Sequence, residues 1–157
     1  MEKTNEPEEK AQSSSDANRV IEARFKKERE DWVSTVSDMS ERLRDIYKLA
    51  DLQTDLYSNR QIALEYSHTI MSHLSRVNAI FRERKVERFN HYTRFHDIRL
   101  EKDPKYDHIH ADLNDILERR DLLQNHLDYL RETIRTIDNL IFGIKHRMAL
   151  EEYRRGV

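Results

Sequence analysis

Between residues 76 and 99 the chain reads RVNAIFRERKVERFNHYTRFHDIR, where seven bases (Arg76, Arg82, Arg84, Lys85, Arg88, Arg94 and Arg99) meet three acids (Glu83, Glu87 and Asp97). That local excess of positive charge sits in a chain whose formal net charge is −2. Phe81, Phe89, Tyr92 and Phe95, with His91 and His96, are interleaved with the bases. Guanidinium and ammonium groups neutralise phosphates, while flat rings offer stacking surfaces to unpaired bases, a combination suited to single-stranded nucleic acid. Arg82, Arg84, Lys85, Arg88, Phe89, Tyr92 and Arg94 are the candidate binding residues. The same composition also fits a solvated helix end, with Arg/Glu pairs supporting the helix and aromatics belonging to a core.

Other chemistry finds little purchase. The chain has eight histidines, but His108 and His110 lie two apart and His68 and His73 five apart, spacings that do not converge on one helical face. No HExxH and no repeated Glu-x-x-His is present. No metal site and no cofactor is expected. The adjacent carboxylates Glu151 and Glu152, or Glu8 and Glu9, lie in a helix or a tail with nothing to bury them and raise a pKa. There is no cysteine, hence no thiolate nucleophile, and no Gly-rich phosphate loop. Catalytic residues are not expected, and the chain reads as a non-enzyme.

The elements that must carry the basic segment are helices. In 157 residues there are 2 Gly and 2 Pro, with 37% charged and 37% hydrophobic residues, too few breakers for the turns of a sheet protein. Residues 1–17 combine Glu, Ser, Pro and Gln with almost nothing to bury and read as a disordered acidic tail. A single all-α domain is expected over 18–157. Ile21, Phe25, Trp32, Met39, Leu43 and Ile46 predict a helix over about 18–48. Leu49, Leu56, Ala63, Ile70 and Val77 recur every seven residues, with Leu52, Tyr66 and Ile80 between them and polar Asn59 and His73 interrupting, which predicts a helix over about 49–92. Leu113, Ile116, Leu123, Leu127, Leu130, Ile134, Ile137, Ile141, Ile144 and Met148 predict a third, continuous over about 104–154. Asp103 would be its N-cap, Pro104 its first residue and Gly156 its stop.

A loop over about 93–103 would turn the chain between the two long helices, giving a heptad-patterned antiparallel hairpin with an additional N-terminal helix. One hairpin offers a thin core, so self-association through leftover apolar positions such as Leu74, Phe81, Leu117, Leu140 and Phe142 is expected. Gly143, inside the best helix, reads as a close helix crossing. No apolar run is long enough for a transmembrane helix and no secretory signal is visible, so a cytoplasmic protein without membrane contact is expected.

Two stretches resemble a known family. Ile137-Asp138-Asn139, then Phe142-Gly143-Ile144-Lys145-His146, then Tyr153 and Gly156, is similar to the ending of the UvsY-like recombination mediators of T-even-type bacteriophages. That family shows an Ile-x-Asn/Ser-Arg-x-Phe-x-Ile-Lys core and closes on an aromatic residue and a glycine. RFNHYT resembles the family's basic-then-aromatic segment, with Arg88 and Tyr92 on its basic and second aromatic positions. Leu140 replaces the usual Arg, His91 the first aromatic and Arg94 the turn glycine, while Val86 stands in place of a second base. The resemblance covers roughly residues 49–156. It implies a ring-like homo-oligomer in the cytoplasm of an infected bacterial host, one that binds single-stranded DNA. It further implies contact with a RecA-like recombinase and a single-strand DNA-binding protein, serving DNA recombination, repair and replication by loading the recombinase. Ile137, Asn139, Ile141, Phe142, Ile144, Lys145 and Met148 would then form the oligomer or partner interface. The alternative from another class is a structural coiled-coil scaffold or virion protein without nucleic-acid function.

Overall fold

The computed structural model describes residues 6–94 and 102–156. Helix α1 spans Glu6–Arg42, a short 3-10 turn spans Ile46–Lys48, and helices α2, α3 and α4 span Leu49–Arg94, Lys102–Asp112 and Asn114–Arg155. No strand occurs among the described residues, so the chain is all-α as its composition predicts.

The boundaries depart from the sequence-based ones in three places. The first helix begins at Glu6, within the stretch expected to be a tail. Its Glu, Lys, Ala and Gln residues are good helix formers, and Pro7 falls in the first turn, where a missing N–H leaves no bond unmade. That helix also stops at Arg42 instead of continuing to about residue 48. Asp45 then adopts an extended backbone and accepts a hydrogen bond from the Tyr47 N–H at 3.1 Å, capping the 3-10 turn. Finally, the helix expected from about residue 104 is two helices. The first starts at Lys102, so Asp103 and Pro104 are its second and third residues. A turn at Leu113 follows, whose N–H is shared between the Ile109 and His110 carbonyls at 3.2 Å. Asp112, Asn114 and Asp115 flank it, and short polar side chains of this kind compete with helical hydrogen bonding. Gly156, at φ 71°, ends α4 as expected and donates to the Tyr153 carbonyl. Most of the expected loop, residues 95–101, lies outside the described residues, as do residues 1–5.

The chain divides into two compact units, one of residues up to Arg24 with Met71–Asn125, the other of Phe25–Ile70 with His126–Val157. The second unit has a core of Met39, Leu49, Leu52, Leu56, Ile137 and Ile144, flanked by Trp32, Val36, Leu43, Ile46, Leu140 and Ile141. Its helices are also tied by ion pairs, Arg42 to Asp55 at 2.7 Å and Arg60 to Asp138 at 2.6 Å. Gly143 marks a close approach, since a Cβ there would stand 3.1 Å from a terminal methyl of Leu43. Completely buried His126 stacks on Phe25 at 4.0 Å, and its Nε2 lies 3.1 Å from the Glu28 carboxylate, which also accepts from the Tyr66 phenol.

The first unit buries Leu74, Ile109, Leu113 and Leu123, and also Asn18. The Asn18 amide donates to the Asp115 carbonyl and to Glu118, both at 2.9 Å, and its oxygen accepts from Arg119 at 2.9 Å. A buried amide so fully satisfied favours one register of the helices that contribute it.

Candidate nucleic-acid interface

The basic aromatic segment is the last third of α2, in the first unit. Steps of four, three and four place Phe81, Lys85, Arg88 and Tyr92 on one helical face, and that face meets α3. Lys85 Nζ lies 5.9 Å from both the Phe81 and Tyr106 ring centroids. Arg88 Nε is 3.5 Å from the Asp112 carboxylate, and the Tyr92 phenol donates to the same carboxylate at 2.9 Å. Tyr92 lies against His108, with ring centroids 5.7 Å apart and planes 24° apart. Burial, then the hydrogen bond to Asp112 and its charge, raise the Tyr92 phenol above its ordinary range, against the opposing pull of Arg88.

Phe89 is 40% exposed; its ring lies 6.3 Å from Tyr106 and carries Lys105 Nζ at 5.2 Å from its centroid. The Lys105 ammonium also donates to the Thr93 hydroxyl at 3.2 Å. Across the segment, then, α3 provides a ring opposite each of two aromatics of α2 and a carboxylate opposite its arginine.

The remaining predicted residues lie off this face. Arg82 and Arg94 are exposed and form no ion pair among the described residues. Arg84 is exposed and pairs with Glu87 one turn along α2 at 3.0 Å, an arrangement that contributes little in water. The seven residues therefore separate into a solvent-facing group (Arg82, Arg84, Arg94), a group engaged with α3 (Lys85, Arg88, Tyr92), and Phe89 between them. Tyr92 does not present a free ring for base stacking, because its phenol and its ring are both engaged with α3. Lys105, Tyr106, His108 and Asp112 belong to the site, although sequence reasoning did not include them. The available signal was the recurrence of 105, 108 or 109, and 112 on one face of a short helix.

The predicted oligomer or partner residues divide as well, all within the second unit. Ile137 and Ile144 are completely or almost completely buried in the chain's own core, and Ile141 packs against it; they do not form an exposed surface. Met39, Trp32 and Val36 of α1 pack in the same core. Leu74, expected among the leftover apolar positions, is also buried, in the first unit. Asn139 and Lys145 are exposed, Phe142 is 60% exposed beside His146, and Met148 rims a groove of about 400 Å³ with Ile46, Tyr47 and Glu151.

Among the described residues no group of three or more His, Cys, Asp or Glu side chains is arranged to hold a metal ion, and no helix is long and apolar enough to cross a membrane. No family model matches this chain, and no curated protein or solved structure is similar to it at a significant level.

Proposed function

We propose that this chain is a single-stranded DNA-binding recombination mediator. It would act as a homo-oligomer in the cytoplasm of a phage-infected bacterium and help a RecA-like recombinase load onto strands covered by single-strand DNA-binding protein. The observation that carries the proposal is the basic aromatic end of α2, where Arg82, Arg84 and Arg94 are exposed and the ring of Phe89 is half-open on the same helix. Exposed cations and an exposed aromatic carried on one helix can engage a phosphate backbone without reading sequence. The resemblance of the Phe142–Gly156 ending to phage recombination mediators supports the same assignment.

The finer architecture is part of this proposal. Arg60 meets Asp138, while Tyr66, further along α2, meets His126, nearer the start of α4. That falling order supports an antiparallel α2–α4 hairpin, and the bond from the Tyr129 phenol to the Arg29 carbonyl supports α1 as its third helix. Self-association is supported by α4. Phe142, His146, Ala149, Leu150 and Tyr153 form a stripe at helical spacing, all exposed, on the face opposite Ile137 and Ile144. Lys145 and Glu152 flank the stripe on one side. Two copies of α4 crossing antiparallel would set each Lys145 against Glu152 of the partner subunit, so the stripe is self-complementary. Many weak strand sites in one particle then give tight binding by multivalency.

A structural scaffold remains the competing assignment, favoured by the contacts that Arg88 and Tyr92 already make within the chain. Equilibrium binding to an oligo-dT strand across a salt series separates the two. For the mediator, affinity falls steeply with salt, and Arg82→Ala, Arg84→Ala and Arg94→Ala each flatten the log K versus log salt slope by about 0.7 for each phosphate that is no longer neutralised. A parent chain with no salt-sensitive affinity for single strands belongs with the scaffold.

A further inference from the structure

We infer that α3 is an internal competitor for the strand-binding face of α2, its Asp112 carboxylate standing where a phosphate would lie and its Tyr106 and His108 rings where bases would stack. This inference rests on the nucleic-acid function proposed above and adds its regulation. The match is group by group. A strand would offer an anion to Arg88, and α3 offers Asp112 at 3.5 Å. A strand would offer flat rings to Phe89 and Tyr92, and α3 offers Tyr106 and His108. Lys85, which would seek a phosphate, instead points its ammonium at Tyr106.

The contacts are also of a kind that a strand can displace. The Arg88 and Asp112 side chains are 48% and 30% exposed, and a pair this open to water is held weakly. The Phe89–Tyr106 rings are tilted by 37° at 6.3 Å, a looser fit than a stacked base makes. Ile109, which is 1% exposed, and the adjoining Leu113 are buried apolar side chains, so the polar contacts with α2 can open while that apolar burial persists. A strand brings several phosphates at once and releases the counterions condensed on them, whereas Asp112 offers a single charge. Neutralising Asp112 should therefore strengthen strand binding, and pinning α3 to α2 should abolish the contribution of Arg88, Phe89 and Tyr92.

The test uses the full chain and a fluorescein-labelled oligo-dT strand, with anisotropy read across a salt series. Asp112→Asn removes the competing charge and keeps the shape. For the pinned form, Thr93→Cys and Lys105→Cys are combined, since Lys105 Nζ lies 3.2 Å from the Thr93 hydroxyl, and the pair is bridged by a short, reducible bis-maleimide. The chain has no cysteine of its own, so the bridge forms only there. Expected are up to about fivefold tighter binding by Asp112→Asn at low salt and a slope steeper by about 0.7 as Arg88 joins the phosphate-binding groups. The bridged form should bind at least tenfold more weakly, with recovery when reductant opens the bridge. Parent binding that neither change alters overturns the inference and leaves the mediator standing. Weaker binding by Asp112→Asn, with helicity intact by circular dichroism, would also overturn it, because Asp112 would then be positioning Arg88 and Tyr92 rather than masking them. Should Asp112→Asn fail to fold, the bridged form before and after reduction decides alone. Absence of strand binding by every form removes the mediator and the inference together.

Discussion

Tyr92 is engaged within the chain on the face proposed to meet a strand. Its phenol is held protonated by burial and by the Asp112 carboxylate, which favours the neutral donor over a phenolate. A group whose folded pKa is raised contributes stability that is complete below its unfolded pKa and is lost as pH rises through the folded one. The Tyr92–Asp112 contact should therefore be intact below the ordinary tyrosine value of 10.0 and loosen above it. In an absorbance titration of the folded chain, Tyr92→Phe should remove one phenol from the late-titrating part of the curve. Loss of an early-titrating phenol instead would show that Tyr92 is not held by Asp112. Arg88 and Tyr92 were legible as candidates because their types and spacing suit phosphate and base, although both meet Asp112. Asp112 was not, because a carboxylate twenty residues away carries no sign of its partner until tertiary packing brings the two together. The same holds for Glu28, Tyr66 and His126, whose contact within the second unit has no local sequence signature.

Among the elements, α2 was the most readable. Leu49, Leu52, Leu56, Ala63 and Ile70 lie where the seven-residue rhythm put them and all are buried, because a repeat sustained over several turns leaves only one face to hide. The break at Leu113 was hidden by that same logic. Leu113 keeps the apolar rhythm and is itself buried, so the pattern continues across a turn made by polar neighbours and not by Gly or Pro. The start of α1 was misplaced because an acidic, serine-rich composition weighs towards disorder, whereas individual Glu, Lys, Ala and Gln residues weigh towards helix. Gly143 tests how tightly α4 is seated in the second unit. Alanine would gain about 1 kcal/mol of helix propensity, and its Cβ would press only on the far end of the Leu43 side chain, just beyond the end of α1. Gly143→Ala should raise Tm, while Gly143→Leu should lower it by the overpacking of an occupied space, about 1–3 kcal/mol. A lower Tm for the alanine variant would mean that Leu43 cannot yield.

For the molecule as a whole, the buried and exposed faces of α4 should respond differently to substitution. Ile137→Asp puts a carboxylate into the core of the second unit, where burying it costs several kcal/mol, so helicity and cooperativity should be lost. Phe142→Asp alters an exposed position, so it should keep the helical circular dichroism of the parent and lower the particle mass in light scattering. A parent that is already monomeric at micromolar concentration, or a Phe142→Asp particle of unchanged mass, would remove this face from the assembly. Asn18 has a further consequence, which concerns the time at which the chain is made. Its partners Asp115, Glu118 and Arg119 lie 97 to 101 residues downstream. At about 5–20 residues per second of synthesis, the first helix therefore waits about 5–20 s for them. Its neighbour in order of manufacture arrives sooner, since Met39 meets Asn59 only 20 residues on. The nascent chain can thus cover part of this helix early, while the hydrogen bonds of Asn18 wait until the first turns of α4 have been made.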